Sequence, residues 1–230
     1  MARSLLALAI TALVLASSAA ASGPVFGSTS FVGVVDNPWF PLVPGTVYVY
    51  TGVKDGKISR DVVTVTHAKK LIAGVGATEV KDDLYVEGRL EERTTDWYAQ
   101  DRAGNVWYLG ESTAELDKAG HVTSREGTWL TGRSGAEPGI YMPAHPARGQ
   151  SGRQEYLKGH AEDHFRVVSV AAPVASPYVS SKHALLTEEW TPLEPGVLDH
   201  KLYVRGVGTV REQTVKGGVE RNVLLSLRRP

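Results

Sequence analysis

The chain has 230 residues, with 25 lysines and arginines against 25 aspartates and glutamates, seven histidines and no cysteine. This charge balance gives no electrostatic reason to expect nucleic acid or an anionic membrane surface as partner. Without cysteine there is no disulfide framework, so the fold must rest on its core; a chain of this length buries about 70% of its unfolded surface.

Arg3, an apolar run from Leu5 to Leu15, and small residues through Ala19, Ala20 and Ala21 follow the order of a secretory signal peptide. The run is shorter than the roughly 20 apolar residues that a membrane-spanning helix needs. Residues 1–21 are therefore expected to be a signal removed near Ala21, and residues 22–230, about 209 of them, to form a single β-rich domain. No cysteine follows the small residues, so no lipid or other stable membrane anchor is expected. The mature protein should be secreted, to the periplasm or the extracellular space.

Beyond the signal, turn residues recur at short intervals between alternating, β-branched and aromatic runs, the pattern of an antiparallel strand-rich domain. Thr46–Thr51 and Ser59–His67 flank Asp55-Gly56, a strong hairpin signal. Strands are predicted over Ala77–Val86, Arg89–Gln100, Asn105–Glu115 and His121–Trp129. From Thr131 to Gly152 glycine and proline dominate, with Pro138, Pro143 and Pro146 interrupting any ladder, and a long loop is expected. Strands resume at Arg153–Leu157, Asp163–Val170, His183–Thr191, Lys201–Val204, Thr209–Val215 and Val219–Leu227. No stretch after the signal sustains helical periodicity. The expected fold is all-β: a curved antiparallel sheet or partly closed barrel of about ten to twelve strands, with a two-sheet sandwich as the alternative.

The densest unusual segment runs from Asp96 to Glu111. If Arg102, Ala103 and Gly104 make a three-residue hairpin loop, Asp101 faces Asn105 and Trp97 faces Leu109. Trp97, Ala99, Trp107 and Leu109 then share a face with Asp101 and Glu111, while Asp96, Tyr98, Gln100 and Tyr108 share the other. Glu111 beside two tryptophans calls for a partner, whether a cation or a ligand. Asp101 also suits a simple turn cap.

A second acidic stretch holds Glu155, Tyr156, Glu162 and Asp163. His160 and His164 do not match the spacing of a zinc-protease helix, and on a strand they stand about 13 Å apart, too far to share one metal. Oxygen donors suit a hard cation better, so Asp101, Glu111, Glu155, Glu162 and Asp163 are the candidate ligands for Ca²⁺, and no other cofactor is expected. Trp97, Trp107, Glu111 and Tyr156 are the candidate ligand-binding residues. There is no phosphate loop and no nucleophile elbow.

Asp-Trp-Tyr-Ala-Gln-Asp…Gly-Asn-Val-Trp-Tyr-x-Gly-Glu at Asp96–Glu111, Gly-Ala-Glu-Pro-Gly-Ile-x-Met-Pro-Ala at Gly135–Ala144 and Gln-Glu-Tyr…Gly-x-Ala-Glu-Asp at Gln154–Asp163 resemble a family of exported bacterial proteins. That family brings no assigned chemistry with it. The resemblance implies Asp96, Asp101, Glu111, Glu155, Glu162 and Asp163 as residues to test. It also implies an aromatic before Arg153, where this chain has Gly152.

Three functions are compatible with these residues. The first is a non-enzymatic module that binds a small molecule in a concave aromatic and acidic site. The second is a Ca²⁺-binding protein, and the third a hydrolase that uses two of the carboxylates. The readings separate on whether Asp101, Glu111, Glu155 and Asp163 converge in space.

Overall fold

The computed structural model describes residues 30–230; the expected signal segment lies outside them. Among the described residues there is no α-helix, and the chain lays down sixteen strands. They are β1 (Phe31–Val32), β2 (Val47–Lys54), β3 (Lys57–Ile72), β4 (Val75–Val86), β5 (Arg89–Asp101), β6 (Val106–Leu116), β7 (Val122–Ser124) and β8 (Trp129–Leu130). The second half adds β9 (Glu137–Met142), β10 (Ser151–Arg153), β11 (Glu155–Tyr156), β12 (His164–Ala175), β13 (Ser180–Trp190), β14 (Leu198–Val204), β15 (Gly208–Lys216) and β16 (Arg221–Arg228).

Local turn chemistry sets most of the pairing. Asp55 and Gly56 both take positive φ, 52° and 74°, as a two-residue hairpin requires, and Lys54 pairs with Lys57 across them. Antiparallel hairpins of this kind carry the sheet from β2 through β6 and from β12 through β16. Strand β16 then returns to pair with β2, which joins the two runs.

The sheet follows the order β10-β12-β13-β14-β15-β16-β2-β3-β4-β5-β6-β9-β11. Its two ends, β10 and β11, are consecutive in the chain, with Gln154 alone between them. Arg153 pairs with His164 on β12, and Glu155 pairs with Pro138 on β9. One stretch of chain thus borders both ends, and the sheet curls into a barrel that is nearly closed. Gly139 makes room for the crossing: a Cβ there would lie 2.3 Å from the Arg153 carbonyl oxygen.

Two expectations need correction. The Gly/Pro-rich stretch 131–152 is not all loop, because it contains β9, which pairs with β6 and β11. Pro138 breaks no ladder there because β11 is only two residues long and joins at an end of the sheet. The strand expected over His121–Trp129 is two short pieces, β7 and β8, both laid against β6. At Gly152, where the resemblance implies an aromatic, Phe165 from the paired strand fills the place; a Cβ on Gly152 would approach its ring to 3.2 Å.

The barrel interior is layered. At one level Val65, Leu185, Tyr203, Val210 and Leu224 have no exposed surface and form an apolar floor. Each side chain of this kind contributes about 1.5–3 kcal/mol by leaving water. Two residues along the same strands, where the pleat returns the side chain to the same face, the lining becomes ionisable. Tyr203 gives way to Lys201, Val210 to Glu212, Val80 to Asp82, Tyr98 to Asp96, and the half-buried Val63 to Asp61.

Candidate functional site

This ring of polar groups lines two adjoining cavities, of about 160 Å³ and 220 Å³. Both are bordered by Asp82, Asp96, Tyr98, Tyr141 and Lys201, so they adjoin as the two sides of a single polar chamber region. The first extends to Tyr50, Asp61 and Glu212, and the second to Glu111, Gln154, Glu155 and Asp163. Glu212 lines the chamber yet keeps 42% of its side-chain surface accessible, so the space is roomy enough for water or a ligand.

Lys201 is the one cationic side chain among the described residues lining these cavities. Its Nζ lies 3.0 Å from Glu189 and 3.3 Å from Glu212. Burial alone pulls its pKa down, but these two carboxylates outweigh that and hold it charged. Apart from Glu92, which pairs with Lys54, the remaining carboxyls of the lining have no cation of their own.

A β-bulge brings Glu111 into this group. Trp97 pairs with Gly110 but Tyr98 pairs with Tyr108, so Leu109 is an extra residue on β6. The bulge puts Tyr108 and Glu111, three residues apart, on one face, and sets Glu111 opposite Asp96. The Tyr108 hydroxyl contacts both Asp96 and, at 3.0 Å, Glu111. A phenol has one proton, so it donates to one carboxylate and can bond the other only by accepting from its protonated form. The geometry therefore favours a proton on one of the two carboxyls.

Titration behaviour follows the same physics. Burial, then the charge of Glu111, pushes Asp96 well above the usual carboxylate range. Burial, then Glu155, raises Glu111 to about 8, and burial, then Asp163, raises Glu155 to about 8. On the far wall, burial and the neighbouring Asp82 raise Asp61 to about 10. Like charges in one low-dielectric space cannot all ionise.

Besides Tyr48 and Tyr50, three tyrosines of the lining pack together. Tyr98 and Tyr108 stack with centroids 4.8 Å apart, and Tyr141 meets Tyr98 edge-on at 5.0 Å. At the rim, Glu92 borders the cavity with 35% of its side chain accessible and pairs with Lys54 at 3.6 Å. The chamber thus opens to solvent beside the β2–β3 hairpin.

The residues singled out by sequence divide sharply. Glu111, Glu155 and Asp163 line one cavity. Asp101 stands apart as a turn cap, accepting from the Asn105 backbone at 2.9 Å and from the Trp107 indole at 2.8 Å. Glu162 accepts from the Gly159 backbone N–H at 2.6 Å, likewise in a turn. Trp97 and Trp107 lie on the opposite face of β5 and β6, in a separate core with Phe31, Ile72, Val75 and Leu109. Trp97 meets Glu111 only at an outer groove of about 320 Å³ beside Lys70 and Leu130. Tyr156 carries the Arg153 guanidinium 4.3 Å from its ring and borders neither chamber cavity. The face assignment from sequence fails at the bulge, which that reading did not include.

Sequence reasoning missed Asp61, Asp82, Lys201 and Glu212, and reached Asp96 only through the family resemblance. The available signal lay in β5, where a bulky aromatic stands on each face, Trp97 beside Ala99 on one and Tyr98 beside Gln100 on the other, and all four are buried. A strand covered on both sides has no solvent face on which to place Asp96.

The fold and chamber define a nearly closed all-β barrel with a carboxylate and tyrosine interior. No protein-family model matches the chain, and no curated protein matches it. Among solved structures it is similar to a Bacteroides fragilis protein with a YmcC-like fold, provisionally classed as exported. Identity is 16% and the TM-score 0.47, over 87% of this chain and 100% of that one. It is also similar to a Parabacteroides distasonis protein provisionally classed as a lipoprotein, at 12% identity and TM-score 0.42, over 86% and 99% of the two chains.

Proposed function

We propose that this protein is an exported, non-enzymatic binding module and that the polar half of the barrel is its ligand chamber. The observation that carries the reading is the shared lining of the two cavities. It sets them side by side in a space that opens to solvent at one rim, above a floor of side chains with no exposed surface. Such a space, with a few polar groups converging on it, suits a small molecule. Export rests on the N-terminal sequence pattern.

The test is a fragment screen by NMR on the labelled mature chain. Hits are expected to shift Tyr141, Lys201 and Glu155 together and to lose affinity in Tyr141→Ala. A screen whose hits all map to the outer groove by Trp97, or that finds none, overturns the chamber reading.

Calcium is the second reading, favoured by the common cavity of Glu111, Glu155 and Asp163. Among the described residues no group of three or more histidine, aspartate or glutamate side chains is placed to hold a metal ion, so the carboxylates would have to move inward to bind it. Millimolar Ca²⁺ is expected to raise the melting temperature, and Glu111→Gln to abolish the rise; no shift ends this reading.

A further inference from the structure

The corner that closes the barrel carries two unsatisfied groups side by side. Gln154 and Glu155 are 4% and 6% exposed, and both border the larger chamber cavity. The Gln154 amide Nε2 has no acceptor, and Glu155 Oε2 has no donor. Trp129, the donor that bears on Glu155, stays outside hydrogen-bond geometry, and its own Nε1 is unpartnered. Buried polar atoms left in this state destabilise the protein, so a ligand that satisfies them gains what the empty protein lacks.

The surrounding charge narrows the ligand further. Asp82, Asp96, Glu111 and Asp163 border the same cavity, against Lys201, whose charge Glu189 and Glu212 already take up. An anion has no free cation to meet there. A neutral hydrocarbon would leave the carboxyls unmatched. Tyr98, Tyr108 and Tyr141 add ring surfaces that favour a positive charge, as the placement of Lys201 Nζ 6.0 Å from the Tyr141 ring already shows.

From the unpartnered donor and acceptor at Gln154 and Glu155, set among uncompensated carboxyls, we infer that the ligand is a small hydroxylated amine. It carries a protonated nitrogen for Glu155 and an oxygen acceptor for Gln154. Amino alcohols and amino sugars have this pairing. An engineered apolar cavity of about 150 Å³ takes benzene, so the 220 Å³ space suits on the order of ten non-hydrogen atoms.

This inference rests on the chamber reading, and its test separates the two. The labelled mature chain is titrated with glucosamine, with glucose, which replaces the amine by a hydroxyl, and with putrescine, which has amines but no oxygen. Glucosamine is expected to shift Gln154, Glu155 and Tyr141 and to bind at least about tenfold tighter than either control. Glu155→Gln should remove about that factor for glucosamine and leave glucose unchanged. Glu111→Gln serves as the second variant if circular dichroism shows Glu155→Gln misfolded.

Glucose binding in the chamber as tightly as glucosamine overturns the amine, and putrescine doing so overturns the oxygen acceptor; both outcomes leave the chamber reading standing. Silence from all three overturns the inference, and the fragment screen then decides the chamber reading separately.

Discussion

The two halves of the barrel interior are built on the same strands, one pleat apart, and they do opposite work. At the level of Leu185, Tyr203, Val210 and Leu224, burial is the source of stability. One step along, at Lys201, Glu212, Asp82 and Asp96, burial costs stability, because charged groups lose water and few gain a partner. The difference teaches that the floor holds the barrel shut while the ring is held in place by it. Sites that bind or react commonly take this form, a costly arrangement supported by its surroundings.

The largest test of that contrast is Lys201→Met. It leaves Glu189 and Glu212 without their cation, and we expect a loss of about 3–5 kcal/mol at pH 8, read by urea denaturation. Next comes the floor: Leu224→Ala should cost about 2–5 kcal/mol at any pH, since it removes apolar contact and leaves a cavity. Removing a carboxylate should do the reverse. Asp96→Asn is expected to be neutral or stabilising at pH 8, within about 1 kcal/mol. If it destabilises as much as Leu224→Ala, the contrast between the halves fails.

The ring also predicts an unusual pH profile. Glu111 and Glu155 are raised from 4.5 to about 8, so between those values the folded protein binds protons that the unfolded chain has released. Stability therefore falls as pH rises through this window, and is fully present below about 4.5, where both states are protonated. Melting temperature should drop between pH 5 and pH 8, and the double variant Glu111→Gln, Glu155→Gln should flatten the drop. A profile that rises over this range contradicts the buried, uncompensated state of these groups. The smallest effect is expected at the surface: Arg153→Ala breaks an exposed pair with Glu137 and should change stability by less than about 1 kcal/mol.

The sequence carried the outline of the fold but not its inner face. Hairpins such as Asp55-Gly56 and the loop closed by Gly104 announce themselves through residues that tolerate positive φ, and they set the antiparallel order, whereas the ten to twelve strands expected are sixteen among the described residues. Strand β9 was hidden because a proline and a glycine are tolerable beside a two-residue strand, which only the tertiary structure reveals. The chamber was hidden for a deeper reason. Alternation of Val63 and Val65 with Thr64 and Thr66 reads as a buried face and a wet face, whereas Asp61 shares the inward face of Val63. Glu111 illustrates a third limit, because one extra residue at Leu109 transfers it from the tryptophan face to the carboxylate face.

Because β10 and β11 are adjacent in the chain but hydrogen-bonded to opposite ends of the sheet, residue 154 works as a clasp on a hoop. A hoop of this kind offers few free rims to neighbouring chains, which matters for a cysteine-free protein that has no disulfide to hold it. The clasp is short, three residues on one side and two on the other, and it is the thinnest part of the wall. Its side chains are also those that the empty chamber leaves unsatisfied. An occupant that bonds to Gln154 and Glu155 would therefore fasten the hoop from within, coupling the filling of the barrel to its closure.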